Sequence, residues 1–406
     1  MYDLLKGVTV VEGAAFVAGP SCGLYLAQMG AEVIRFDNIG GGPDFNRWPL
    51  TENGDSLYWE GLNRAKKSVA INLSSPEGRA LAVRLAAAPG ENRGLFVTNF
   101  PAEGFLSYEA LQKARADLIC VRVMGWADGK PALDYTINCA VGVPDMTGHP
   151  EDARPVNAML PAWDLLTGAY GAFALTSALI ARRMDGKGRE IRVPLSDMAA
   201  TSLAHLGLVG DVIGGAADRP KLGNALYGAF GRDFTTRDGK RIMMVAITAR
   251  QWKAILQSLG IVEPVAALEA ELGVSFAEDE GLRFDHRDRL FPLFEAAFAT
   301  RNLADMTPTF DSTGVCWGPY QPLSQAVEDP RLYRGNPVFA DIDNPSGRRY
   351  LAPGAAGTIP QDARQPPRPA PRLGANTDEV LMDLLGMSSA EVGRLHDQGV
   401  VAGSRA

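Results

Sequence analysis

One acidic residue sits where a side chain can do covalent chemistry. The string Leu160-Pro161-Ala162-Trp163-Asp164 leads into a long apolar stretch, and Asp164 falls at the expected N-cap of a helix after a Pro-bearing loop. Plain capping explains such an aspartate. A second role is open beside it, because the helix dipole and the free N–H groups of a first turn hold a carboxylate as the anion. Trp163 and the apolar neighbours would strip its water, and carboxylates so placed serve as covalent nucleophiles. Spacing alone leaves both readings standing.

Other chemistries are poorly supported. The four histidines, His149, His205, His286 and His396, are far apart and lack the i, i+4 pairing of a helical metal site. No G-x-S-x-G elbow is present for a Ser-His-Asp hydrolase. The first glycine-bearing turn, Glu12 to Pro20, lacks G-x-G-x-x-G, and Phe16 and Val17 stand where a pyrophosphate would want glycines. Asp37 imitates a ribose-binding acid, yet a solvated strand end explains it as well. Gly40-Gly41-Gly42 is either a nest of N–H groups for an anion or a flexible turn. A nicotinamide dehydrogenase is therefore disfavoured.

The elements that must carry Asp164 alternate in kind. Short apolar runs at 8–11, 32–37, 67–73, 94–100 and 117–123 are separated by helical segments, including one opened by Ser75-Pro76 and one starting at Ser107. That pattern predicts an α/β fold, a doubly wound (Rossmann-like) parallel sheet covered on both faces, with ligands at the carboxyl ends of its strands. A chain of 406 residues suggests two or three units. Residues 1–218 are assigned to a large α/β domain and 219–330 to a smaller inserted α+β domain with a hairpin at Asp238-Gly239. Residues 331–406 form a connector rich in proline (353–371) and two short helices opened by Asn376-x-x-Glu379 and Ser388-x-x-Glu391.

A net charge of −7 argues against a non-specific nucleic-acid binder. Four scattered cysteines without C-x-x-C argue against a disulfide framework and for a reducing cytoplasm. No signal peptide is expected, because Glu12 interrupts the first apolar run. Leu165–Ala181 is uncharged for 17 residues, just short of a membrane span, and reads as a buried core helix.

Several segments together resemble the class III CoA-transferases: Leu4–Asp37, Lys66–Leu73, Ser75–Gly78, Val97–Phe100 and Leu373–Leu381. That family includes formyl-CoA transferase and the α-methylacyl-CoA racemases. The likeness implies a nucleophilic aspartate at Asp164 and an interlocked homodimer. It also implies CoA contacts at Val17, Ala18, Asn38, Ile71, Asn72, Leu73, Asn99, Phe100 and Tyr135. The only cofactor implied is the CoA of the substrate, with no metal. Racemases of the family carry a His-Asp pair before a tyrosine. Leu133 stands where that histidine belongs, and an aliphatic side chain is no base. Asn38, Ser74 and Glu103 replace basic residues of relatives, which leaves Arg35, Lys66 or Lys67 for the 3′-phosphate, and Asn376 replaces a histidine.

The strings VEGAAFVAGP, GLFVTNFPAEGFLSYEAL, LPAWD and NALYGAFGRDFTTRDGKR are similar to those of family members that shift CoA between the two carboxyl groups of one mesaconate. This likeness implies an intramolecular transferase in 3-hydroxypropionate metabolism. Transfer to an external carboxylate is the alternative; an oxidoreductase and a non-catalytic CoA-binding protein are more distant ones. A dicarboxylate needs a cation for its second carboxylate. Arg47 (in Phe45–Pro49) and Arg232 (in Tyr227–Asp233) are the candidates, and each is equally explained as a surface ion pair.

Overall fold

The apolar runs of the first half are strands because both of their faces are covered. In the computed structural model, which describes residues 1–404, these are β1 (Thr9–Gly13), β2 (Glu32–Asp37), β3 (Lys67–Ile71), β4 (Leu95–Thr98), β5 (Ile119–Met124) and β6 (Arg189–Pro194). They lie in the order β3-β2-β1-β4-β5-β6, every pair parallel. Strand order reverses between β1 and β4, so the loops after these two strands flank a crevice.

Helices α1 (Ala18–Gln28), α2 (Leu57–Leu62), α3 (Pro76–Ala86), α4 (Tyr108–Ala114) and α5 (Asp134–Ala140) alternate with the strands. After α6 (Val143–Met146) come α7 (Ala162–Asp185), α8 (Leu195–His205) and α9 (Leu208–Ile213). Ser75 and Ser107 cap α3 and α4 by accepting the N–H groups of Gly78 and Ala110, as their sequence positions imply.

Two units make up the chain. The first comprises Met1–Val141, Ala158–Ala216 and the residues from Glu328 on; the second comprises Gly142–Asn157 and Ala217–Val327. Residues 142–157 thus pack with the small unit, although composition assigned them to the large one. The reason is hydrogen bonding: the Gly223 N–H reaches the Gly148 carbonyl at 2.9 Å, and Lys221 Nζ reaches the Asp152 carbonyl at 2.8 Å.

The second unit holds an antiparallel sheet, β7 (Phe230–Thr235), β8 (Arg241–Ala246) and β9 (Cys316–Pro319). Around it lie α10 (Ala249–Leu259), α11 (Val262–Leu272), α12 (Glu280–Asp285), α13 (Arg287–Ala299), α14 (Leu303–Thr313) and α15 (Leu323–Ala326). Phe230, Phe234, Trp252, Phe294 and Phe298 form its aromatic core.

The chain then returns to the first unit through the hairpin β10 (Phe339–Asp343) and β11 (Arg349–Pro353), α16 (Thr377–Leu385), α17 (Ser389–Asp397) and β12 (Val401–Ala402), which adds an antiparallel edge to β3. Ser388 and Glu391 form the expected capping box on α17. Asn376 does not cap α16. Its carbonyl is taken by the Ser68 N–H at 3.0 Å, which stitches the helix to β3.

Helix α7 is not the fully buried core helix expected. One face packs on α1, so closely that a Cβ on Gly168 would stand 2.0 Å from Ser21 Oγ. The opposite face leaves Tyr170, Phe173, Ile180 and Met184 exposed.

Below the carboxyl ends of β1 and β2 lies a buried charge network. Lys66 Nζ pairs with Glu12 at 2.8 Å and reaches the Pro20 carbonyl and Asn63. Arg35 pairs with Asp37 and Asp44, each at 2.8 Å. Arg35 and Lys66 are almost wholly inaccessible. Removing one partner of such a pair leaves an uncompensated interior charge. Lys66→Met is expected to lower unfolding stability in urea by about 3–5 kcal/mol, whereas Glu12→Gln with Lys66→Met loses much less.

Candidate functional site

The loop after β1 is forced into an uncommon shape. Phe16 has φ +70°, a left-handed conformation that a bulky residue adopts only when its surroundings hold it there. Two clasps do so. The Phe16 N–H donates to Asp44 Oδ2 at 3.0 Å, and the Ala15 N–H and carbonyl pair with the Asn99 amide at 3.2 and 3.0 Å. Asp44 therefore carries the buried network into the loop.

Helix α7 begins at Ala162, with Pro161 at its N-cap, so Asp164 lies inside the first turn and is not the cap. Pro161 has no side-chain acceptor for the unpaired N–H groups of that turn. Asp134, at the start of α5, supplies one: its Oδ2 accepts the Asp164 N–H at 2.9 Å. One turn further along α5, Asn138 accepts the Trp163 indole N–H at 3.0 Å.

This arrangement opposes the expected stabilisation of the Asp164 anion by the helix terminus. Its carboxyl is pushed up to about 7, first by burial and then by the charge of Asp134, with Arg47 opposing. Asp134 is also raised by burial, opposed by the N–H groups of Asp164 and Trp163.

Arg47 supplies the opposing charge. Its guanidinium lies 5.8 Å from the Phe16 ring centre and 5.3 Å from that of Tyr58. Ser56 fixes this pair, capping α2 through the Trp59 N–H and donating its hydroxyl to the Arg47 carbonyl. The Tyr58 hydroxyl is pushed up to about 12 by burial, with the charges of Asp44 and Asp164 adding to the rise and Arg47 opposing it. Asp164 opens onto a cavity of about 510 Å³ shared with Phe16, Val17, Ala18, Asn99 and Phe100.

Against this geometry the chain can be compared with known proteins. The model of CoA-transferase family III matches residues 5–377. The chain belongs to that family. Among curated relatives of this CoA-transferase, 2-methylfumaryl-CoA isomerase of Chloroflexus aurantiacus is 47% identical, with 99% of each chain covered. Succinate–glutarate CoA-transferase of Agrobacterium fabrum is 28% identical, covering 94% of this chain and 95% of its own. A CAIB/BAIF family protein from Brucella suis, of solved structure, matches with TM-score 0.75 and 25% identity over 95% of this chain and all of its own.

The remaining candidates of this CoA-transferase are distributed as follows. The Tyr135 hydroxyl, on α5, donates to the Met159 carbonyl at 3.4 Å. Asn38 accepts the Leu73 N–H at 3.4 Å, and Asn72 accepts the Ser74 N–H at 3.1 Å, so these three form a patch at the ends of β2 and β3. The Ile71 side chain is sealed in the core and offers a ligand only its backbone. Arg232 lies in the second unit, paired with Glu295 and stacked 4.6 Å from the Phe291 ring centre.

Arg35 and Lys66 do not face a phosphate, since their charges are consumed in the interior. Lys67 bridges Glu32 and Glu379 at 2.6 and 2.7 Å. Gly42 is a packing turn over Asp37 and Asp44, whose carboxylates exclude an anion nest. Among the described residues no three His, Cys, Asp or Glu side chains cluster as a metal site.

Asp44, Tyr58 and Asp134 escaped the sequence reading. Only Asp134 left a trace there, as the acid beside Leu133.

The raised carboxyl of Asp164 has a stability consequence. The unfolded carboxyl ionises near 4 and the folded one near 7, so between these values the folded chain binds the extra proton and its stability falls as pH rises. Asp164→Asn is therefore expected to melt at a higher temperature than the parent at pH 8, with the gap closing towards pH 4.

Proposed function

We propose that the protein moves CoA between the C1 and C4 carboxyl groups of one mesaconyl-CoA molecule, through an aspartyl-CoA thioester at Asp164. The observation that carries this reading is the 47% likeness over 99% of both chains to 2-methylfumaryl-CoA isomerase. Relatives named for transfer between two different acids, succinate and glutarate, are only 28% and 26% identical.

The chemistry follows from a desolvated carboxylate. Ionised Asp164 attacks the thioester carbon, expelling CoA thiolate and forming a mixed anhydride. The thiolate then attacks the aspartyl carbonyl, which gives aspartyl-CoA and free mesaconate dianion. After the diacid turns, its other carboxylate attacks the aspartyl thioester, and the two steps run in reverse. Each step exchanges one activated acyl group for another, so the balance closes without metal or redox cofactor.

Arg47 is suited to the free carboxylate. It is a planar fork close to two rings, and among the described residues it has no ion-pair partner. Arg232, already paired, is the weaker candidate. The acyl-CoA is assigned to the cavity beside Val17, Ala18, Asn99 and Phe100, with its nucleotide end towards the Asn38–Leu73 patch. Leu133, exposed and aliphatic, speaks against proton abstraction as in a racemase.

A second copy of the chain is the expected cover for the exposed apolar face of α7 and for Leu206, Val209 and Ile213. A reducing cytoplasm fits the four unbridged cysteines, and a net charge of −7 fits a homodimer that takes no nucleic-acid partner.

Intact-mass analysis after mixing with mesaconyl-CoA is expected to show a CoA adduct mapping to Asp164 and absent from Asp164→Ala. Labelled free mesaconate should stay out of the CoA ester; its incorporation would establish an external acceptor instead. Arg47→Met is expected to lower kcat/KM by about 10²-fold, the loss of a charge-assisted pair.

A further inference from the structure

We infer that Asp134 is a positioning residue for the nucleophile, capping the first turn of α7 from α5, fixing where the Asp164 carboxylate stands and setting a second negative charge against it. The inference rests on the reading of Asp164 as acyl carrier. Three observations converge on it. Helix α7 starts on Pro161, which brings no acceptor of its own, and the bond from the Asp164 N–H goes instead to Asp134 at 2.9 Å. Asp134 is 2% exposed, so this carboxylate is not a surface cap open to water. Asn138, four residues on and therefore on the same face of α5, takes the Trp163 indole.

Two adjacent residues of the α7 turn are thus clipped to one face of α5, one by backbone and one by side chain. Such a clip fixes position more tightly than either bond alone, and sub-ångström placement is what acyl transfer demands. The division of labour between the two acids also follows. Asp134 accepts N–H bonds that favour its charged form, whereas the Asp164 carboxylate accepts none among the described residues and faces that charge. The other groups facing Asp164 are Arg47, from the loop after β2, and Tyr58, from α2. Tyr135, beside Asp134 on α5, faces Tyr58. Only Asp134 brings a second negative charge among these.

The test is single-turnover formation of the CoA adduct from mesaconyl-CoA, followed by intact mass between pH 5 and 9 in the full-length protein. Asp134→Asn keeps an acceptor and removes the charge; Asp134→Ser does the same with a shorter group, should the amide variant not fold. In either, the midpoint of the acid limb is expected to fall by about one pH unit while the KM for the acyl-CoA holds. A merely structural role predicts a slower reaction with the midpoint of the parent. An adduct-forming variant with an unmoved midpoint overturns the proposal. Absence of adduct in the parent at every pH instead removes the acyl-carrier reading beneath it.

Discussion

The bond from the Phe16 N–H to Asp44 is the constraint on which the site depends. A left-handed phenylalanine costs about 1–2 kcal/mol by itself, and a charge-assisted hydrogen bond at 3.0 Å is of the size to offset it. Asp44 supplies that charge only while Arg35 holds it at 2.8 Å. Arg35 is shared with Asp37, and Glu12 behind it is satisfied by Lys66. Two cations among three carboxylates leave the cluster one negative charge in excess when all are ionised. The surplus is directed at a backbone N–H at the carboxyl end of β1, beside the crevice where strand order reverses. The interior charges thus shape a loop, which is a use of buried ion pairs distinct from stability.

Desolvation then decides the chemistry of Asp164. A fully solvated aspartate is ionised at neutral pH and is also a poor nucleophile, because water stabilises its charge. Partial burial, with Asp134 nearby, raises the proton affinity of Asp164 and its reactivity as an anion together. Arg47 opposes the same two effects. Near 7 the carboxyl stays ionised in a large fraction of molecules while keeping the basicity that burial confers. Proton affinity is set by burial and by two side chains, Asp134 and Arg47, from two other parts of the chain.

The parallel sheet was legible because its strands are near-continuous apolar runs punctuated by caps such as Ser75 and Ser107, and such local signals survive folding. Asp164 was legible by type and by its place ahead of a long helix. Its protonation was not, because it depends on Asp134, 30 residues away, and on Arg47, 117 residues away. Arg35, Lys66 and Arg232 illustrate the same limit. Each is a cation of the right kind near the right motif, and each is already engaged by a carboxylate, at long sequence distance for Lys66 and Arg232 and within the same stretch for Arg35. The extent of α7 burial was also out of reach, since an apolar helix reads alike whether its second face meets its own chain or another.

Arg47 shows why the free cation matters. A guanidinium that formed a salt bridge to Asp164 would lower its pKa by several units and leave a stable, unreactive carboxylate. Here the planar fork lies within cation–π reach of both Phe16 and Tyr58, close enough to oppose the rise in Asp164 yet not bonded to it. Its N–H donors remain available to a second carboxylate. In an intramolecular transfer the released diacid must turn without leaving, and a cation held beside aromatic rings is suited to hold one end while the other approaches the thioester. Stacking on aromatic faces leaves the guanidinium edge open for this purpose, whereas a pairing with a protein carboxylate, as at Arg232 and Glu295, closes it.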